Sequence, residues 1–251
     1  MDLIARGWRL HNYPERLSYS ATPPDFGSLV IQRGRWANGG LLILPKLLRH
    51  LMRGAAQPRI WREGLLRFHY LFSIAGSTLG LLVVLIFPIE KHLSMGWLPL
   101  TALPYYALYG RDLLLAGYRF TDLFRVYTLN LLLVPVNVGG VLRSLHQAMT
   151  GQQTPFRRTP KVPGRTTSPS LYILAEYGLV AYCLFGAVMS LEAHRAWNAV
   201  FTLANAAVLL YGIHLFIGFR NGREDLVLNW PEQWKPRAVP SQKRPAELSK
   251  V

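Results

Sequence analysis

Between Trp197 and Phe219 lie 23 consecutive residues without Lys, Arg, Asp or Glu, and between Phe68 and Phe87 lie 20. At about 1.5 Å rise per residue each run, as a helix, reaches about 30 Å, the thickness of a bilayer's hydrocarbon core. Runs of this kind predict membrane helices, and the composition agrees: 51% of the residues are hydrophobic and only 16% charged. The net charge of +15 does not point to nucleic acid, because no aromatic–basic recognition module accompanies it. Lysine and arginine in a membrane protein collect in cytoplasmic loops. The single cysteine, Cys183, lies inside an apolar run, where it reads as a small buried apolar residue. The first 30 residues are polar and carry Pro14, Pro23 and Pro24, so no signal peptide is visible.

Five hydrophobic segments are present: Phe68–Phe87, Leu93–Gly110, Val126–Leu142, Leu171–Leu191 and Trp197–Phe219. Charge decides which of them span. The stretches 1–67, 111–125, 143–170 and 220–251 hold 11, 3, 5 and 7 Lys/Arg, and only Lys91 and Arg195 lie elsewhere. If Val126–Leu142 does not cross, 26 of the 28 positive charges fall on one side, the cytoplasmic one. That segment is also interrupted by Asn130, Pro135, Asn137, Gly139 and Gly140, which weaken a continuous lipid-facing helix. The expectation is four transmembrane helices plus a broken interfacial helix at 121–148, with both termini cytoplasmic. Trp97 and Trp197 fall at outer helix ends, as an aromatic belt places them. Glu176 reads as an exposed or snorkelling carboxylate near a cytoplasmic helix end rather than as a transport group.

Outside the spans, residues 1–30 are polar and irregular, with short candidate strands at Arg9–Tyr13 and Leu17–Ser20. Apolar residues interleaved with Lys46, Arg49 and His50 over Leu41–Leu51 predict an amphipathic helix along the membrane surface. Residues 149–170 form a Pro/Gly/Thr-rich basic loop. Its Arg157, Arg158, Lys161 and Arg165 suit a polyphosphate and equally an anionic headgroup. The segment 220–251 reads as a disordered cytoplasmic tail, Pro- and charge-rich from residue 231. The seven histidines are scattered without metal-ligand spacing. Neither a Gly-x-Ser-x-Gly elbow nor a Walker-type phosphate loop occurs.

Gln32-Arg33-Gly34-Arg35-Trp36 resembles the Gln-x-x-Arg-Trp signature of processive family 2 glycosyltransferases, the cellulose, hyaluronan and chitin synthases and their relatives. Upstream, Arg6-Gly7-Trp8-Arg9, Pro14-Glu15 and Thr22-Pro23-Pro24 resemble that family's run from its catalytic core into the motif. Downstream, Phe156-x-x-Thr159-x-Lys161 resembles the gating loop of cellulose synthase, between helix pairs in the same order. Arg158 departs from that loop, which usually carries an apolar residue there, and favours a cellulose-synthase-like relative over a true cellulose synthase.

The resemblance implies a fold that is mainly α and polytopic, with a small remnant of a cytoplasmic α/β glycosyltransferase domain at the N-terminus. Its expected organisation is a remnant over 1–40, an amphipathic interfacial segment over 41–67, two transmembrane helices and the broken helix over 68–148, a gating loop over 149–170, two transmembrane helices over 171–219 and the tail over 220–251. It implies that Gln32 and Arg35 face a donor diphosphate, which amide and guanidinium groups grip with charge-assisted hydrogen bonds. Trp36 would form the floor under the terminal sugar of the acceptor. Phe156, Thr159 and Lys161 would close over the bound nucleotide. The implied partners are a nucleotide sugar (a UDP-sugar ahead of a GDP-sugar), a growing β-linked polysaccharide and the lipid bilayer of the inner (plasma) membrane. Mg2+ or Mn2+ is implied as cofactor, with ligands outside this chain. The general base in a Thr-Glu-Asp motif is expected upstream of Met1, since Asp2 stands too close to Gly7-Trp8. The expectation is therefore an enzyme part without its own general base or metal ligands; the alternative is a non-catalytic membrane subunit or degenerate relic that keeps the channel scaffold.

Overall fold

Asp25 stands three residues before Ser28, at the start of an apolar-periodic run, and acts as an N-cap. Its Oδ1 accepts from the Ser28 amide at 2.8 Å, supplying a partner for one of the amides that a helix start leaves open. Helix α1 then runs Phe26–Arg53 with Pro45 inside it. This is seen in a computed structural model that describes residues 8, 11, 22–53, 58–86, 98–152, 159 and 164–228. The expected boundary at residue 40 falls inside this helix: Gln32–Trp36 and the amphipathic Leu41–Leu51 stretch share one element. No strand occurs among the described residues. The candidate strands Arg9–Tyr13 and Leu17–Ser20 lie outside them except for His11, which has no regular structure.

Among the described residues, α1 is followed by α2 (Pro58–Ile86), α3 (Leu98–Leu115), α4 (Phe120–Leu132), α5 (Val134–Thr150), α6 (Ser170–Glu192) and α7 (Ala196–Gly212). A π-helical turn (Ile213–Ile217) then leads into α8 (Phe219–Leu228). Among the described residues, three stretches are long and apolar enough to cross a membrane: Trp61–Val83, Ser170–Glu192 and Ala196–Ile217. The α4–α5 pair, bent by 45°, makes a fourth if it is counted as one broken span. The break expected in this region is therefore present, at Leu133. Pro135 sits in the first turn of α5, where a missing N–H costs no helix bond. The expected span Leu93–Gly110 is described only from Leu98. There α3 runs on through Arg111 and Asp112 to Leu115, and it is not among the three apolar stretches.

The buried core draws Phe26 and Val30 from α1, Leu85 from α2, Leu131, Leu132 and Leu133 from the α4–α5 break, Ile173, Val180 and Cys183 from α6, and Leu209 and Ile213 from the last helix pair. The broken pair is thus central to the bundle. By contrast α2 leaves Leu65, Leu66, Tyr70 and Leu79 exposed, an apolar face unsuited to water and suited to lipid.

Two expectations are corrected here. Glu176 is not exposed or snorkelling: it is 0% accessible, because it shares the inward face of α6 with Ile173 and Val180, one turn to either side. The segment after 219 is not disordered from its start. Its first part is helix α8, in which Arg220 Nε donates to Glu224 Oε1 at 3.0 Å one turn on. Asp225 is buried, and Gly222 lies against Ile173 and Tyr177 of α6.

Candidate functional site

The motif helix is seated by small residues. Gly34 is buried and so is Ala37, and both face Gly140 of α5. A Cβ placed on Gly140 would stand 2.5 Å from Ala37 Cβ and 2.9 Å from the Gly34 carbonyl oxygen. Only a residue without a side chain allows this approach. About two turns further along α5, Gln147 Nε2 donates to Asn38 Oδ1 at 3.3 Å. With Gly34, Ala37 and Asn38 held against α5, the 100° step of the helix turns Gln32, Arg35 and Trp36 away from that contact.

On the face left open, Arg35 Nη2 donates to Thr159 Oγ1 at 2.7 Å. The two residues are 124 apart in sequence; one belongs to the motif and the other to the loop between α5 and α6. Thr159 is buried, at 6% accessibility, so the contact is shielded from water. A guanidinium bond of this length is charge-assisted and stronger than a neutral one. Of the expected site residues, the structure therefore brings Arg35 and Thr159 together. Gln32 is half-buried one turn before Trp36. Trp36 is 49% accessible, leaving ring surface available for stacking. Phe156 and Lys161 lie outside the described residues.

Arg33 is not one of the motif's fixed positions, yet its guanidinium carbon lies 5.0 Å from the centre of the Trp36 ring, within cation–π range. Burial pushes this guanidinium below the usual arginine range, and the electrostatic influence of Tyr109 raises it again. Arg33 remains a cation, since arginine does not deprotonate in proteins, and its Nε is buried with no hydrogen-bond partner among the described residues. The spacing of three between Arg33 and Trp36 was a legible sign that the two share a helix face.

The other unforeseen residues root the loop. Thr166 donates its amide to Asp25 Oδ2 at 2.8 Å, and Ser28 Oγ lies 3.1 Å from Thr166 Oγ1. Burial alone would raise the Asp25 carboxyl. Hydrogen bonds from the Ser28 hydroxyl and from the Thr166 and Ser28 amides, with the Arg165 charge, hold it below the usual carboxylate range. Asp25-x-x-Ser28 is a helix-start pattern readable in the sequence; its second duty toward Thr166 is not. Arg165, grouped in the sequence with the loop cations that suit a polyphosphate, instead forms an ion pair with Asp225, Nη1 to Oδ1 at 2.7 Å.

Against known proteins, a family model described as Glycosyl transferase family group 2 matches residues 1–110. That range contains Gln32–Trp36, and the similarity points to glycosyl transfer as the chemistry, with a nucleotide-sugar donor and an acceptor. No curated protein and no solved structure matches the chain.

Proposed function

We propose that this chain is the membrane-embedded part of a cellulose-synthase-like processive glycosyltransferase, which transfers sugar from a nucleotide-sugar donor to a growing β-linked polysaccharide and moves the product across the inner membrane. The observation that carries this reading is the 2.7 Å bond from Arg35 to Thr159. It joins two motifs singled out separately in the sequence, which have no local reason to meet. Similarity over residues 1–110 to glycosyl transferases supports the same reading.

In this reading Gln32 and Arg35 bind the donor diphosphate, and Thr159, with Phe156 and Lys161 on the same loop, closes over the nucleotide. A UDP-sugar is preferred to a GDP-sugar. The Arg35–Thr159 bond then marks where loop and diphosphate site converge. Trp36 offers its half-exposed ring to the flat CH face of the acceptor's terminal sugar, while Arg33, stacked over the indole, steadies it. The broken α4–α5 pair enters from the cytoplasmic side and returns to it, leaving 111–125 and 143–170 with the cytoplasmic termini, as the clustering of lysine and arginine favours. Mg2+ or Mn2+ would serve the donor diphosphate, but among the described residues no group of three or more His, Cys, Asp or Glu side chains is placed to hold a metal. No step is therefore routed through a metal on this chain, and none of the residues named here is given the role of general base.

The test is substitution of Trp36 by Ala in the longest polypeptide encoded with this chain, assayed against UDP- and GDP-sugars in proteoliposomes. Loss of polymer synthesis of at least 100-fold, with donor binding retained, is expected, in line with the cost of misplacing a reacting group. Unchanged polymer would remove Trp36 from the acceptor site. No turnover of any donor by the unsubstituted polypeptide would favour the non-catalytic subunit.

A further inference from the structure

The loop that bears Thr159 has a fixed end. The residues from Arg165 to Pro169 pass without regular structure between the start of α1 and helix α8, and they are tied to both. On the α1 side, Asp25 accepts from the Thr166 amide at 2.8 Å. The Thr166 carbonyl there lies so near Gly27 that a Cβ would collide with it. On the α8 side, Asp225 Oδ2 accepts from the Ser168 amide at 3.0 Å. Its Oδ1 meets Arg165 Nη1 at 2.7 Å, as an ion pair rather than an aligned hydrogen bond. Arg165 Nη2 also donates to Glu224 Oε2 at 3.3 Å. Asp225 is 1% accessible, whereas Arg165 is 31% accessible, so the carboxylate is the buried anchor and the arginine is its covering partner.

The chain geometry gives this junction a consequence. Thr159 stands five residues before Gly164, and even a fully extended chain of that length reaches only about 17 Å. The root therefore limits where Thr159 can go. Gly164, next to the root, has φ of +121°, which L side chains rarely adopt, so this position is suited to glycine.

We propose that Arg165 and Asp225 are positioning residues that hold the root of the loop so that Thr159 reaches Arg35. The helix following the last apolar stretch thereby helps to set the geometry of the motif face. Asp25 serves both partners at once, since one carboxylate caps the motif helix and holds the loop root. The significance of the Thr159 contact for donor binding rests on the function proposed above; the positioning itself does not.

The test separates the two. Cys183, which is buried, is replaced by Ala, and Thr159→Cys is introduced into the full chain in lipid nanodiscs. The rate of modification by a water-soluble maleimide then reports undocking of the loop. Arg165→Ala is expected to raise this rate at least tenfold, and Arg165→Lys, which keeps a charge but loses the two-pronged fork, to give an intermediate rate. Asp225→Asn keeps an acceptor for the Ser168 amide and removes the charge; it is expected to match Arg165→Ala, and it keeps the question answerable if that variant does not fold. Rates within twofold of the parent in every variant recovered folded would overturn the proposal. In the parallel measurement, UDP is added to the Thr159→Cys parent. A rise in labelling for the variants with no response of the parent to UDP would uphold the junction and count against the donor site. Protection by UDP with no effect of the variants would do the reverse.

Discussion

Gly140→Ala adds a single methyl group where α1 and α5 are closest, and the structure fixes its effect. The new Cβ would stand 2.5 Å from Ala37 Cβ, 2.9 Å from the Gly34 carbonyl oxygen and 3.3 Å from the Asn38 amide nitrogen. Carbon atoms in contact sit about 3.5–4.0 Å apart, so the first approach is short by about 1 Å or more. None of the three atoms can swing aside, because two belong to the backbone and the third is fixed to it. The helices must separate, at a cost of about 1–3 kcal/mol for overpacking. Alanine's better helix propensity offsets about 0.5–1 kcal/mol of this. Gly39 provides the control: it lies on the same motif helix with nothing within 4 Å of its would-be Cβ. Gly39→Ala therefore keeps only the propensity gain and should stabilise. With Tm moving roughly 2–4 °C per kcal/mol in chains of 150–250 residues, Gly140→Ala should lower the melting temperature of the purified protein by a few degrees while Gly39→Ala raises it. Shifts of the same sign in the two variants would refute the close approach, and with it the account of how the motif face is aimed.

Two further outcomes follow from buried or bonded carboxyls. The folded-state pKa of Asp25 lies below its ordinary value, so the unfolded chain takes up its proton first as pH falls. The stabilisation it gives is complete above the ordinary aspartate pKa of about 3.9 and is lost as pH drops through the lower folded value. Lowering pH from about 6 to about 3 should then reduce Tm more in the parent than in Asp25→Asn; equal losses would mean the cap and root bonds contribute nothing. Glu176 is buried with neither carboxyl oxygen bonded among the described residues, and an unsatisfied buried polar group costs about 1–3 kcal/mol. Glu176→Met, of similar length and fully apolar, should raise Tm; a fall of several degrees would show that the carboxyl has a partner and a purpose.

The parts of the architecture legible in the sequence were those written in long-range averages. Uncharged runs of helical length overlap two of the three apolar stretches, the third is legible as a hydrophobic segment despite Glu176, and proline and glycine within Val126–Leu142 mark the break at Leu133. Motif spacing singled out Arg35 and Thr159, but not that they touch, since no local pattern encodes contact across 124 residues. The burial of Glu176 is hidden for a related reason: one acidic residue near a helix end looks the same whether its face meets headgroups or the bundle. Only the burial of Ile173 and Val180 on the same face decides it. Arg165 was grouped with the other loop cations because charge composition does not reveal pairing, and its partner Asp225 lies beyond two further helices. The start of the tail was read as disordered for the same reason, since α8 owes its order to α6 and to the loop root more than to its own polar sequence.

What brings the motif and the loop together is a pair of adjacent glycines. Consecutive residues of a helix point about 100° apart, so Gly139 and Gly140 present α5 to two different neighbours. Gly140 receives the motif helix at Ala37 and Gly34, while Gly139 receives Tyr172 near the start of α6, whose hydroxyl would be 2.6 Å from a Cβ there. The two neighbours differ in compliance. The contact at Gly139 is with the far end of a side chain that can rotate, whereas the contact at Gly140 is with backbone and an alanine methyl. A side chain at 139 should therefore be accommodated by Tyr172 at little cost, while one at 140 displaces the motif helix as a body. The loop leaves α5 at Thr150 and returns at Ser170, two residues before the Tyr172 that Gly139 receives, so α5 bounds the loop's return as well as the motif helix. A motif on one helix and a loop more than a hundred residues later can thus be held in register without any contact in sequence, provided α5 keeps a bare backbone toward α1.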